Sequence, residues 1–287
     1  MMALSLRMLA AAVFTAALSA TAAQAQSGSP CPAGYQALED SDPETAIEAF
    51  SACLSRQLYE WPVEAELRTR LGAAHLAQGE GEAALLAYNQ VFSLLEANGG
   101  NTDHPLIRRN RAAAYLQTGA YEAALADLDR ALAVLPDDAF TRVLQGSAFL
   151  DLERPEEAVA AFDAAVRAEP DYVSAWIGRS AAFVEMDLAE NGVSDAQEAV
   201  ALDPEDAGAL NALCWALVNA GRAADGLDIC DAAVEADPDS GAIVHSRAAA
   251  LEQVGRLEEA AQLYARAHEL DPDDPDLAAD HERVNGG

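Results

Sequence analysis

Leu135-Pro136-Asp137-Asp138, Glu169-Pro170-Asp171-Tyr172, Asp203-Pro204-Glu205-Asp206, Asp237-Pro238-Asp239-Ser240 and Asp271-Pro272-Asp273-Asp274 follow one another at a spacing of 34 residues. Proline has no backbone N–H and cannot continue a helix, so it falls where one stops. Stops in a single register mean that one structural unit was copied. A period of 34 is that of two short antiparallel helices stacked into a solenoid.

Setting the end of each unit two residues after its proline gives copies that begin at Pro105, Ala139, Val173, Ala207 and Gly241. Position 8 is then held by Ala112, Gly146, Ser180, Cys214 and Ala248, and position 20 by Ala124, Ala158, Gly192, Gly226 and Ala260. Position 27 is alanine throughout: Ala131, Ala165, Ala199, Ala233 and Ala267. Small residues at fixed places let helix axes approach. The larger Tyr115, Phe149, Phe183, Leu217 and Leu251 at position 11, with Leu128, Phe162 and Tyr264 at position 24, fill the space between.

These columns resemble the tetratricopeptide repeat. Trp176 keeps that family's tryptophan at position 4, Gly146 its glycine at position 8, and the five prolines its position 32. The resemblance is tight over 105–274. It extends upstream into a looser copy at 65–104, with Leu71, Gly72, Ala84 and Tyr88 in place and about six extra residues near Asn98-Gly99-Gly100-Asn101. A weaker first copy at 26–64 has Ala46 and Phe50 in register. It implies an all-α, right-handed α-solenoid of about seven tetratricopeptide-type helix-turn-helix repeats. Residues 275–287 form a capping helix and tail over the open end, as solenoids need.

The turns account for much of the acidity. Acids following the prolines stand where the next helix begins and suit its free N–H groups and positive end. Ser41-Asp42-Pro43-Glu44 reads as a capping box. Arg111, Arg179 and Arg247 recur at position 7, and Asp127 and Asp195 at position 23 are expected to meet them between stacked units.

Four cysteines allow three pairings. Cys31 and Cys53 share the first copy, Cys214 and Cys230 the sixth. Several helix layers of ~8–10 Å separate those copies, and a disulfide spans no more than ~7 Å between Cα atoms. Within the solenoid reading, only the local pairs Cys31–Cys53 and Cys214–Cys230 are in reach. Each pair is also equidistant from its hairpin turn, at Asp42 or Arg222. A buried free thiol is the alternative for Cys214.

Residues 1–25 read as a cleavable signal peptide. One arginine precedes an apolar run from Met8 to Leu18, and Ala23-Gln24-Ala25 is the small-x-small pattern before a cut. The run is short of the ~20 residues that span a bilayer, and no later segment is apolar enough to insert. A periplasmic or secreted protein is the expectation. Formal charge is −31, and no basic residue is lysine; removing Arg7 makes it −32 (−31 − 1). Nucleic acid and anionic membranes are disfavoured as partners, since both need a basic stripe.

No catalytic constellation emerges. His75, His104, His245, His268 and His281 form no His-Glu-x-x-His, and there is no Gly-x-Ser-x-Gly elbow or phosphate loop. His75 takes the aromatic place at position 11. The acid-rich turns lack the glycine or glutamate of a calcium loop. No cofactor and no metal are expected. What remains is a surface. In the resembled family, positions 2, 5, 9, 12 and 13 of each first helix line a concave groove. Carried over, that groove holds Arg109, Phe140, Val143, Ser147, Leu150, Ile177, Ala181, Val184, Asn211, Trp215, Val218 and His245. The family's carboxylate-clamping Lys and Asn are absent apart from Asn211. The lining is apolar and suits an extended or helical protein segment, unless Phe140 and Ile177 pack on neighbouring repeats and leave it shallow. The resemblance implies a non-enzymatic adaptor or scaffold. A structural spacer or assembly subunit of an envelope complex is the alternative, and a hydrolytic enzyme a more distant one.

Overall fold

A computed structural model describes residues 29–285, and among them every regular element is helical. The whole signal-peptide reading and the last two residues of the tail lie outside the described residues. The chain divides into two compact units, residues 29–148 and residues 149–285 within the described span, with the division inside one helix.

The first unit holds α1 (Pro32–Glu39), α2 (Pro43–Arg56), α3 (Trp61–Ala77), α4 (Gly81–Ala97), α5 (Pro105–Gln117), α6 (Tyr121–Val134) and most of α7 (Ala139–Asp151). The second holds α8 (Pro155–Ala168), α9 (Val173–Glu185), α10 (Ala189–Leu202), α11 (Ala207–Asn219), α12 (Leu227–Ala236), α13 (Gly241–Gln253), α14 (Leu257–Leu270) and α15 (Pro275–Asn285). Odd-numbered helices open each repeat here, and even-numbered ones close it. Helices pack as hairpins, α3 on α4 and α13 on α14 among them. Within the second unit, α9, α11 and α13 also lie side by side.

The five expected repeat starts coincide with the first residues of α5, α7, α9, α11 and α13. Each register proline stands two residues beyond the preceding helix, as Pro136 does after Val134. The six extra residues of the second repeat are divided. α4 runs 17 residues where α6 runs 14, which takes three, and the loop 98–104 takes the other three.

Small-on-large packing closes the hairpins. A Cβ added to Gly34 would stand 2.7 Å from the Phe50 ring, and one added to Gly72 would stand 2.8 Å from the Tyr88 ring. Both are position 8 against position 24. Gly178 faces Phe162 of the preceding repeat even more closely, at 2.2 Å. Only a bare Cα admits the ring there.

Two hairpins are closed by sulfur. Cys31–Cys53 ties the N-terminal end of α1 to α2 with Cα atoms 5.9 Å apart, and Cys214–Cys230 ties α11 to α12 at 5.1 Å. Helix α1 has only eight residues, too few to persist alone, so the first bridge holds an element that propensity would not. In the sixth repeat the first turn of the closing helix is a 3-10 turn, Ala223–Asp225, and α12 is correspondingly short.

The helix starts correct one expectation. Asp42, not Ser41, caps α2: its carboxylate accepts from the Thr45 backbone N–H at 3.0 Å and from the Thr45 hydroxyl at 2.6 Å, and these bonds hold its pKa down. Ser41 sits at φ 55° in the turn, and Glu44 does not return the bond, so no reciprocal capping box forms. Asp206 and Ser240 cap α11 and α13 as expected. The tail helix α15 buries Leu277 against Val244 and Ala267.

Candidate functional site

The arginines of position 7 are structural, with a geometry broader than expected. Arg179 donates to Asp195 of its own repeat at 2.7 and 2.9 Å, and to Asp163 of the preceding repeat at 3.0 Å. Arg111 likewise bonds Asp127 in its own hairpin and Asn89 in the repeat before. Arg247 reaches back to Asp231. Asp127 and Asp195 thus pair within a repeat, and position 25 of the previous repeat supplies the bridge between consecutive repeats. Gln145 keeps the same bridge to Asp129 at 2.8 Å without a charge.

The residues expected along the groove separate into covered and open ones. Val143 is fully buried, Ile177 is 7 % exposed in a cluster with Ala199 and Ala209, and the buried Ser147 hydroxyl is spent on the Val143 carbonyl. His245 is 5 % exposed, bonded to Asp280 of α15 at 2.7 Å and wedged between the Trp215 and Tyr264 rings. These four side chains are packing elements. Leu150, Ala181, Val184, Asn211, Trp215 and Val218 of the second unit stay half-buried. In the first unit, Phe140 lies half-buried under the Arg109 guanidinium, 4.8 Å from ring centre to Cζ.

A concavity lies within the first unit. A cleft of about 320 Å³ opens between α3 and α5, floored by Leu95 of α4. Its α3 wall is Trp61, Pro62, Ala65, Glu66, Thr69, Arg70 and Ala73; its α5 wall is Leu106, Ile107, Arg109 and Asn110, with His104 at the loop. Counted from Ala65 and Pro105, Glu66 and Leu106 are position 2, Thr69 and Arg109 position 5, and Ala73 position 9. Those are the positions that the resemblance assigns to ligands. Of these residues, sequence reasoning had named only Arg109. The same rule applied to the looser second repeat would have found the others; Trp61 needed the extra turn by which α3 starts early.

Charge in the cleft is internally settled. The Arg109 guanidinium reaches Asp138 at 3.2 Å, and Arg70 stands 4.0 Å from Glu66. Glu66 also accepts from the Tyr35 hydroxyl at 2.8 Å, and burial, with Glu66 second, raises the Tyr35 pKa well above the usual phenol range. In the lining, Arg109 Nε and Asn110 Oδ1 are buried and make no hydrogen bond among the described residues. Behind the lining, full burial pushes the Tyr88 pKa up.

A tetratricopeptide repeat family model matches residues 31–92, 143–187 and 182–241, and a second such model matches 241–281. A search of curated proteins returns no match. Among solved structures, a tetratricopeptide repeat protein from Parabacteroides merdae is similar with a TM-score of 0.69 at 19 % identity, over 88 % of this chain and 95 % of that one. A MamA structure, residues 41 to the end, from Desulfovibrio magneticus is similar at 0.51 with 20 % identity, over 61 % of this chain and 96 % of that one. At such identities the likeness concerns the fold.

Proposed function

Because the chain belongs to the tetratricopeptide repeat family, whose fold is of the protein-interaction scaffold type, we propose that it is an exported, non-enzymatic adaptor. It holds a segment of another protein against the first helices of its repeats, chiefly at the α3–α5 cleft. The observation that carries this reading is the cleft itself. Its lining falls on positions 2, 5 and 9, and its walls are mainly apolar around a few fixed polar groups. Export rests on the signal-like start and on two disulfides, which persist in oxidising compartments.

A photo-crosslinking side chain in place of Trp61, in cells of the native host, tests it. An adaptor gives a discrete adduct from position 61 and none from the exposed Glu122 on α6. Equal labelling at both sites, or adducts only on the closing helices, would point to the spacer alternative. Fractionation tests the address: mature protein beginning near Gln26 belongs in the periplasm or medium, and a cytoplasmic full-length chain would refute export.

A further inference from the structure

We propose that the Cys31–Cys53 bridge is a redox-operated clasp. A dithiol opens it, helix α1 lets go of the first unit, and the change reaches helix α3 through Tyr35 and Glu66. This goes beyond the adaptor reading and stands whatever the protein holds.

The two disulfides have different surroundings. Cys214 and Cys230 are each 1 % exposed, lie inside α11 and α12, and pack against Ala223 and Ala250. A thiol reaches them only when the hairpin opens. Cys53 is half-buried near the end of α2, and Cys31 is the N-cap residue of α1. Exchange needs access to one sulfur and a good leaving group at the other. Cys53 offers the access. Cys31 departs as a thiolate at the positive end of α1, which favours negative charge.

The co-reactant is a dithiol of the Cys-x-x-Cys class. One of its thiolates attacks Cys53 Sγ. The bond between the two Sγ atoms breaks, and Cys31 leaves with the electron pair and takes up a proton. The second thiol then attacks the mixed disulfide and frees Cys53, which is protonated in turn. Two electrons have passed to the bridge, and the reductant ends as a disulfide.

What the bridge holds is weak by itself. Helix α1 has eight residues, no side-chain bond at its N-cap, no acid in its first turn and no base in its last. Besides the bridge, Tyr35 and Leu38 tie it into a cluster with Phe50 and Leu67, and the Tyr35 hydroxyl donates to Glu66 at 2.8 Å. That hydrogen bond crosses to α3. The Arg70 guanidinium, also on α3, stands 5.9 Å from the Tyr35 ring centre. When α1 leaves, Glu66 loses its phenol donor and Arg70 loses the ring. One side chain therefore links the state of the bridge to two charged residues of the cleft wall.

The test treats the disulfide-intact protein with graded dithiothreitol, alkylates the freed thiols and follows hydrogen exchange by mass spectrometry. Cys31 and Cys53 should be alkylated at about tenfold less reductant than Cys214 and Cys230. Amides of 32–39 should then exchange roughly a hundredfold faster, the effect of losing the cross-link. A smaller rise is expected around 66–70, and residues 149–285 should not respond. Cys31→Ser with Cys53→Ser should show the same pattern without reductant. Tyr35→Phe in the oxidised protein should show the rise around 66–70 while α1 stays protected by the bridge. Both bridges opening together, the 214–230 bridge opening first, or α1 equally protected in the reduced protein would each overturn the proposal. So would a loss of protection spread evenly over the first unit, since the bridge would then be a staple of the whole fold and not a clasp on one helix.

Discussion

The second and sixth repeats use the same two places in opposite ways. In the second, Gly72 at position 8 receives the ring of Tyr88 at position 24; in the sixth, the same positions are Cys214 and Cys230, joined by a disulfide. The ring fills volume and works through close packing. The bridge fills little and works by holding α11 to α12 through a bond. The surroundings differ too: α12 begins late, behind a 3-10 turn, and a Cβ on Gly226 would stand 2.4 Å from a Leu217 methyl, which would have to turn aside. One contact of the repeat therefore tolerates two chemistries, provided that the axes are brought to the same approach.

The sharpest way to break the comparison is to empty the packed version. Tyr88→Ala removes a fully buried ring and should cost ~3–5 kcal/mol, read by denaturant unfolding with Trp61 fluorescence reporting the first unit. Cutting the covalent version comes next. Cys214→Ala with Cys230→Ala opens a loop with a sequence separation of 16 and should cost about 2–4 kcal/mol, read through Trp215. Loss at Trp215 with little change at Trp61 is expected, since repeats interact through neighbours.

Much of this was legible beforehand, because proline and small-residue columns report directly on helix ends and axis distances. The starts at Pro105, Ala139, Val173, Ala207 and Gly241 follow from register; turn symmetry and solenoid distances pointed to both disulfide pairs, while a buried free thiol stayed open for Cys214. Which groove positions stay open did not follow. Val143 and Ile177 carry the right position numbers, yet neighbouring side chains cover them, and exposure depends on residues a repeat away. The cleft was hidden for a different reason. One of its walls belongs to a repeat whose length departs from 34, where α3 starts a turn early and the loop 98–104 is long. Register arithmetic is weakest at such an insertion. The Ser41 reading failed by one residue, because Asp and Ser are both good caps and only the turn geometry chooses between them.

Smaller changes refine the picture. Ala158→Leu puts a large side chain at fully buried position 20 and should destabilise the second unit by ~1–3 kcal/mol through overpacking. Asp151, at the end of α7, is half-buried, and burial pushes its pKa up to about 6. Its folded pKa lies above the unfolded value of about 3.9, so the native state binds the proton more readily. Its contribution to stability therefore rises as pH falls from 7 through 6 toward 4 and is level below that. Asp151→Asn should stabilise at pH 7, on the order of 1 kcal/mol because the carboxylate is still partly hydrated, with the gain fading by about pH 4. Melts of both proteins across that range check the sign.

The equivalence of the two closures is tested most directly by converting one into the other. Cys214→Gly with Cys230→Tyr writes the second repeat's pair into the sixth, to be compared under reducing conditions with the double-alanine variant. The swap should unfold later at Trp215 by about 1–3 kcal/mol, the worth of a buried ring less the cost of a helical glycine. A swap no more stable than the double alanine would mean that positions 8 and 24 of the sixth hairpin are not the same contact, and that the bridge serves a geometry of its own.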